Sequence, residues 1–330
     1  MRQSFNPFTL PLNLVKRWRR RAQVSGLTCG RRQLALVGIN TESHPCLYAS
    51  FQADVDVAAE RHRLLTDWAA HSDLYRCPVT LTLLPDTYQL LQIERPPVKT
   101  EELAQAVRWQ IKDLLKYPLN EAVVDVFEIP VSTHRHHPAM VYVAAARRKE
   151  LCEWTRLAVD AGLVPDRIDI AELALRNLIE RATLSVAETV ATLCLLPGHS
   201  LIQISRGADL YLTRTLDYGM DAVARDVDNN IGDDLYQRLT LELQRTLDYY
   251  DSEFGLASIK RVFLAPAQAT LEALATAVSD GIGLPAEFLN LTPLIETGPG
   301  LRFAPAQFAV TLLGLGGRLD TLAHRTAGDL

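Results

Sequence analysis

Two proline stops isolate a single helix between two strands in the stretch Ile93–Ile129, IERPPVKTEELAQAVRWQIKDLLKYPLNEAVVDVFEI. Proline lacks an N–H and fixes φ, so Pro96 and Pro97 end the first strand and Pro118 ends the helix; the residue before it, Tyr117, is also pushed out of helical geometry. Thr100 offers an N-cap hydroxyl, and Glu102 places an acid at the positive end of the helix. Leu103, Val107, Ile111 and Leu114 recur at helical spacing and predict one apolar stripe. Val123 to Ile129 is rich in β-branched residues and predicts the next strand. Trp109 falls off the stripe, so it meets either a neighbouring subdomain or a binding partner. A chain built on such units forms α/β layers.

The 330 residues suffice for two domains or one duplicated fold, and a hydrophobic content of 48% with 22% charged residues fits a soluble protein. No apolar run is long enough to cross a membrane as a helix. The five cysteines, Cys29, Cys46, Cys77, Cys152 and Cys194, include no CxxC pair, which argues against a disulfide framework or zinc site and for a reducing cytosol. The net charge of −5 is unevenly placed. Residues 1–21 hold six basic side chains and no acid, leaving the remainder at −11 (−5 minus +6). So acidic a body excludes general nucleic-acid binding. Lys16, Arg17, Trp18, Arg19, Arg20 and Arg21 follow the apolar residues rather than precede them, so this is no secretory signal. They suit an anionic membrane surface or a docking arm for a protein partner, if not a solvated tail.

Strands and helices then alternate twice. GLTCGRRQLALVGI from Gly26 gives a strand, a turn at Gly30 and a return strand, with a third strand at Leu47–Phe51. A helix at Ala58–His71, strands at Val79–Leu84 and Tyr88–Ile93, the proline-bracketed unit, a strand at Val141–Ala145 and a helix closed by Gly162 follow. Ile168–Ile170 and a helix at Ala171–Arg181 end the first half. Strands at Thr192–Leu196, Ser200–Ser205 and Leu210–Thr215 restart the pattern. A helix from Asp234 to Phe254, a strand at Ile259–Leu264 and helices at Leu271–Ser279 and Phe308–Leu319 complete it. Matching Leu27-Thr28-Cys29-Gly30 to Leu195-Leu196-Pro197-Gly198 opens each half with the same strand–glycine turn–strand.

In this order, Ile93–Ile129, the segment VYVAAARRKELCEWTRLAVDAGLVPDRIDIAELAL from Val141, YLTRTLDYG from Tyr211 and LTLELQRTLDYYDSEFG from Leu239 resemble the PilM/MshI family. These are actin-like, FtsA-related cytoplasmic proteins of type IV pilus assembly. The short insertion after Gly219 favours the MSHA-pilus MshI branch. The resemblance runs from about Gly26 to Leu319. It implies a duplicated actin-like (ribonuclease-H-like) α/β fold of two lobes, each on a five-stranded sheet, with a small α+β subdomain inserted in the first. Residues 1–23 would be the basic tail, 24–80 with 169–188 the first lobe, and 81–168 the inserted subdomain. Residues 189–320 would form the second lobe, with a helical insertion at 219–256, and 321–330 a second tail. It further implies a location in the cytoplasm, peripheral to the inner membrane. The partner would be the cytoplasmic tail of a PilN-like membrane protein, held between the subdomain and the first lobe. Tyr88, Leu90, Trp109 and Leu115 are the contacts expected there, the extended tail adding to a sheet edge.

Actin-like ATPases place an acidic residue and a glycine at each phosphate hairpin, where backbone cradles phosphate and carboxylate positions magnesium and water. Here Thr28 precedes Gly30, and Leu196 precedes Gly198. The adenosine motif reads Leu264-Ala265-Pro266-Ala267, where Pro266 removes an N–H and Ala267 adds a Cβ. Loss of both carboxylates predicts a rate lower by orders of magnitude. The expectation is a non-catalytic scaffold without cofactor or metal; the alternatives are an active ATPase that retains Mg-ATP, and a type II secretion platform relative. His134, His136 and His137 lack matching ligands, and DVDNNIGDDLYQ from Asp226 has Ile231 and Gln237 where a calcium loop needs glycine and glutamate. The second is read as a loop preceding the helix. LGLGGRL at Leu313–Leu319 has the wrong spacing for a dinucleotide fingerprint and predicts close helix packing.

Overall fold

Both halves begin with a hairpin of the same length: Cys29 pairs with Leu34, and Leu195 with Ser200. The computed structural model describes residues 23–41, 46–130, 138–183, 188–228, 232–255, 258–292, 295–298 and 309–325. In the first half β1 (Gln23–Cys29), β2 (Gln33–Asn40) and β3 (Cys46–Asp54) form an antiparallel meander. Helix α1 (Ala58–His71) crosses over, and β4 (Pro78–Leu83) returns parallel to β1. Next come β5 (Tyr88–Glu94), α2 (Thr100–Gln110), β6 (Ala122–Glu128) and β7 (Met140–Arg147), which form a separate three-stranded sheet in the order β5-β7-β6. Helix α3 (Arg148–Asp160) leads to β8 (Val164–Ile170), parallel to β4, and then to α4 (Ala171–Ala182).

The second half repeats the scheme. Strands β9 (Thr189–Leu195), β10 (Ser200–Arg206) and β11 (Asp209–Leu216) form the meander, and α5 (Met220–Asp228) and α6 (Gly232–Phe254) cross over. Strand β12 (Val262–Ala265) returns parallel to β9; α7 (Glu272–Ile282) and β13 (Ala286–Phe288) complete a sheet of order β11-β10-β9-β12-β13. The short β14 (Glu296–Thr297) and α8 (Ala309–Arg325) follow. The expected second lobe, residues 189–320, includes these last elements, but β14 pairs with β3 and α8 packs on β1, β2 and β4 of the first lobe. Helix α4 in turn leaves the first sheet and packs on β10 and on α8. The two closing helices are thereby exchanged across one continuous apolar core that takes Val37 and Leu175 from one half and Leu201 and Leu313 from the other.

The glycines of α8 permit this exchange. A Cβ on Gly26 would stand 1.9 Å from the Gly314 carbonyl oxygen, and one on Gly316 would stand 2.1 Å from that of Ala174. The glycine-rich segment is therefore a close-packing surface, as its spacing predicts.

Helix α2 buries Leu103, Val107 and Ile111 against Val141, Val143 and Ala145 of β7, worth roughly 1.5–3 kcal/mol per large side chain. Four local expectations change. Lys99 occupies the N-cap and Thr100 lies inside the helix, so no hydroxyl caps it. The helix stops at Gln110, and Leu114, four residues beyond, turns outward and is exposed rather than completing the stripe. The separate sheet spans only β5 to β7, so the inserted unit is narrower than 81–168: β4 and β8 both belong to the first-lobe sheet. In the second lobe, Met220–Asp228 is helical where the residues around Asp226 read as a loop.

Candidate functional site

Strand pairing fixes which hairpin residues correspond. Cys29 and Leu195 both close their hairpins, and the next residues make the same turn bond: Gly30 N donates to Gln33 O at 2.9 Å, and Leu196 N to His199 O at 2.8 Å. Gly30 therefore matches Leu196, and Thr28 matches Cys194. Matching glycine to glycine, as the sequence invites, slips the alignment by two residues. Thr28 is buried, and its hydroxyl donates to Val310 O at 2.8 Å. Leu196 is 2% exposed and joins the core between the lobes. A Cβ on Gly30 would meet Leu84 Cδ1 at 2.6 Å, whereas Gly198 faces open space. The first N–H groups of α5 are already engaged: Met220 N donates to Leu196 O at 2.8 Å, and Asp221 N to Pro197 O at 2.9 Å. Pro266 follows a cis peptide bond at the end of β12, and Ala267 comes next. Thr28, Cys194, Leu196, Pro266 and Ala267 bring no carboxylate to this end of the two sheets.

A groove opens elsewhere, between the inserted unit and the first lobe. Strand β6 ends one sheet and β8 ends the other, and between them lies a cavity of about 220 Å³. Val123, Asp125 and Phe127 of β6 line it, facing Ile168 and Asp169 of β8 and Leu173 of α4. It continues past Val123 and Leu151 into an open trough of about 400 Å³ along Cys152, Thr155 and Val159 of α3. Ile168 and Val159 remain 44% and 54% exposed. Edge strands are templates for a further strand, and apolar walls beside them supply pockets for its alternate side chains.

Tyr88 forms the inner wall of this groove and ties it to the rest of the molecule. Its hydroxyl donates a short hydrogen bond to Glu172 Oε2 in the first turn of α4. Gln203 Nε2 of the second lobe donates to the Glu172 carbonyl at 2.9 Å. Burial pushes the Glu172 carboxyl up to about 7, partly offset by the Tyr88 hydrogen bond; burial also holds the Tyr88 phenol well above its ordinary range. No sequence signal pairs these two residues, which lie far apart in the chain.

The four expected contacts do not converge. Tyr88 and Leu90 point to the inner face of the β5–β7 sheet, and Leu90 is packed against both lobes. Leu91 and Ile93 point to the other face, with α2 and Leu115. Trp109 stands on α2 and is 72% exposed. The period of two along a strand separates the pairs, so Trp109 and Leu115 lie across the sheet from the groove. Lys16, Arg17, Trp18, Arg19, Arg20 and Arg21, like His134, His136 and His137, lie outside the described residues. Among the described residues no helix is long and apolar enough to cross a membrane.

No protein-family model matches the chain, and no curated protein matches it. Solved structures do. It is similar to a chain of a PilM-PilN type IV pilus biogenesis complex, with a TM-score of 0.73 and 22% identity over 91% of this chain and 98% of that one. It is also similar to the cytoplasmic domain of EpsL, an inner-membrane component of the type II secretion system of Vibrio cholerae, with a TM-score of 0.51 and 13% identity over 89% and 94%. A Bacteroides thetaiotaomicron protein with an actin-like ATPase fold matches with a TM-score of 0.50 and 10% identity over 84% and 94%. The exchanged closing helices, the repeated sheets and these likenesses define one architecture: the chain has an actin-like two-lobe α/β fold with a small α+β unit inserted in the first lobe.

Proposed function

We propose that this chain is a non-catalytic cytoplasmic scaffold of a type IV pilus inner-membrane assembly platform, of the MSHA-pilus MshI branch. Its role is to hold the cytoplasmic tail of a PilN-like membrane protein. The observation that carries this reading is the apolar groove between the two edge strands β6 and β8. An extended tail adds main-chain hydrogen bonds to one edge and places alternate side chains against Val123, Phe127, Ile168 and Leu173. The likeness to a chain from a PilM-PilN complex supports the choice of partner.

The hairpins support the non-catalytic half of the proposal. A bound nucleotide needs backbone approach and a carboxylate to hold magnesium. Leu196 instead fills the core, and the Thr28 hydroxyl is spent on Val310. Thermal unfolding with each candidate ligand tests both halves. A tail peptide at about 100 times its dissociation constant adds roughly 2.7 kcal/mol of stability, whereas excess Mg-ATP adds none. A magnesium-dependent shift with ATP would restore the ATPase reading.

A further inference from the structure

The most exposed large apolar side chain in the described structure, Trp109, has no part in the groove. At 72% exposure it stands with Leu114, at 52%, on the outer corner of the inserted unit. Lys112 and Lys116 are exposed in the same turn. Gln89 pins that turn to β5: its Nε2 donates to Leu114 O at 3.3 Å, and Lys116 N donates to its Oε1 at 2.9 Å. Beyond Lys116, the Arg147 guanidinium lies 4.9 Å over the Tyr117 ring, with Arg148 exposed beside it. Lys112 and Lys116 thus flank the exposed Leu114 in the turn that follows Trp109, with Arg147 beyond them at Tyr117, whereas Arg148 lines the trough along α3. Asp113 is the acid within the turn, and Glu150 lies near Tyr117.

We propose that this corner is a membrane-contact surface for an anionic lipid bilayer, independent of the basic segment at residues 16–21. A tryptophan at headgroup depth keeps its ring in the interface and its N–H wet, and lysines beside it run their stems along apolar surface while the ammonium groups meet phosphate. A small soluble anion would use the cations but leave Trp109 and Leu114 in water. Charge placement supplies the orientation. Residues 22–330 carry −11 in total (−5 minus +6), so an anionic surface repels the body and attracts this corner.

The test uses the full chain with Trp18→Phe, so that the basic N-terminal segment does not report, and vesicles of phosphatidylglycerol mixed with phosphatidylcholine at low salt. Trp109 emission is expected to shift to the blue and to be quenched by brominated acyl chains; the same chain with Trp109→Phe supplies the background from Trp68 and Trp154. Lys112→Gln with Lys116→Gln is expected to weaken vesicle affinity about 30-fold, with an unchanged melting temperature. Vesicle binding with Trp109 emission unaltered would assign the contact to the N-terminal segment alone and overturn the proposal. So would a shift of equal size on phosphatidylcholine alone, or no binding at all.

Discussion

The Tyr88 hydroxyl donates to Oε2 of Glu172, joining the first strand of the inserted unit to the first turn of α4. The Glu172 carbonyl in turn accepts from Gln203 of the second lobe at 2.9 Å. One buried residue therefore touches all three parts of the molecule, and one face of the tyrosine that binds it forms the groove wall.

This junction makes stability depend on pH. Burial raises the Glu172 carboxyl from 4.5 to about 7, so the folded state holds a proton that the unfolded state releases within that window. Its contribution is full below pH 4.5 and is lost as pH rises through about 7, a change of about 3 kcal/mol. Denaturant titrations of wild type and Glu172→Gln across the window should diverge by that order, with the variant flatter. Parallel curves would place the titration elsewhere.

Tyr88→Phe removes the donor and leaves a buried carboxyl without it. A loss of about 2 kcal/mol is expected, read as a lower denaturation midpoint with the m-value unchanged.

Much of the fold was legible because its signals are local. Proline stops, turn glycines and apolar periods located α1, α2 and both hairpins to within a few residues. The failures are non-local. Gly30 and Gly198 look equivalent in sequence, yet strand register matches Gly30 to Leu196 and Thr28 to Cys194. Nothing in the residues after Pro285 announces that β14 and α8 return to the first lobe. Sequence periodicity marks the strands beside the groove, but not which of their faces forms the wall. Of the expected contacts, Tyr88 lines the groove, whereas Trp109 and Leu115 stand on the far side of the sheet. The opposing wall, Ile168 and Leu173, arrives through the parallel pairing of β4 and β8.

The packing of α8 against β1 predicts a sharp contrast between two glycines. Gly26→Ala drives a methyl against the Gly314 backbone and should cost about 3 kcal/mol or more. Gly198→Ala has open space and should change stability by under about 0.5 kcal/mol. Equal effects in thermal melts would contradict the described approach of α8.

Arg318 is nearly buried on α8, with Nη1 donating to Thr80 Oγ1 at 3.0 Å and to Asp166 Oδ2 at 2.7 Å. Asp166 stays 38% exposed, so Arg318→Met should destabilise by about 2 kcal/mol, and by less with Asp166→Asn present, because the partner charge is then gone. Additive losses in that double-mutant cycle would show that the pair is not coupled.

The scaffold account stands most directly on the groove, and one binding measurement decides it. A fluorescent peptide from a PilN-like tail should bind wild type and Trp109→Ala with equal affinity, since Trp109 lies across the sheet. Ile168→Asp, which puts a charge on the wall of β8, should weaken binding on the order of tenfold or more while leaving the melting temperature nearly unchanged. Unchanged affinity in Ile168→Asp, or loss confined to Trp109→Ala, would place the partner somewhere other than the groove.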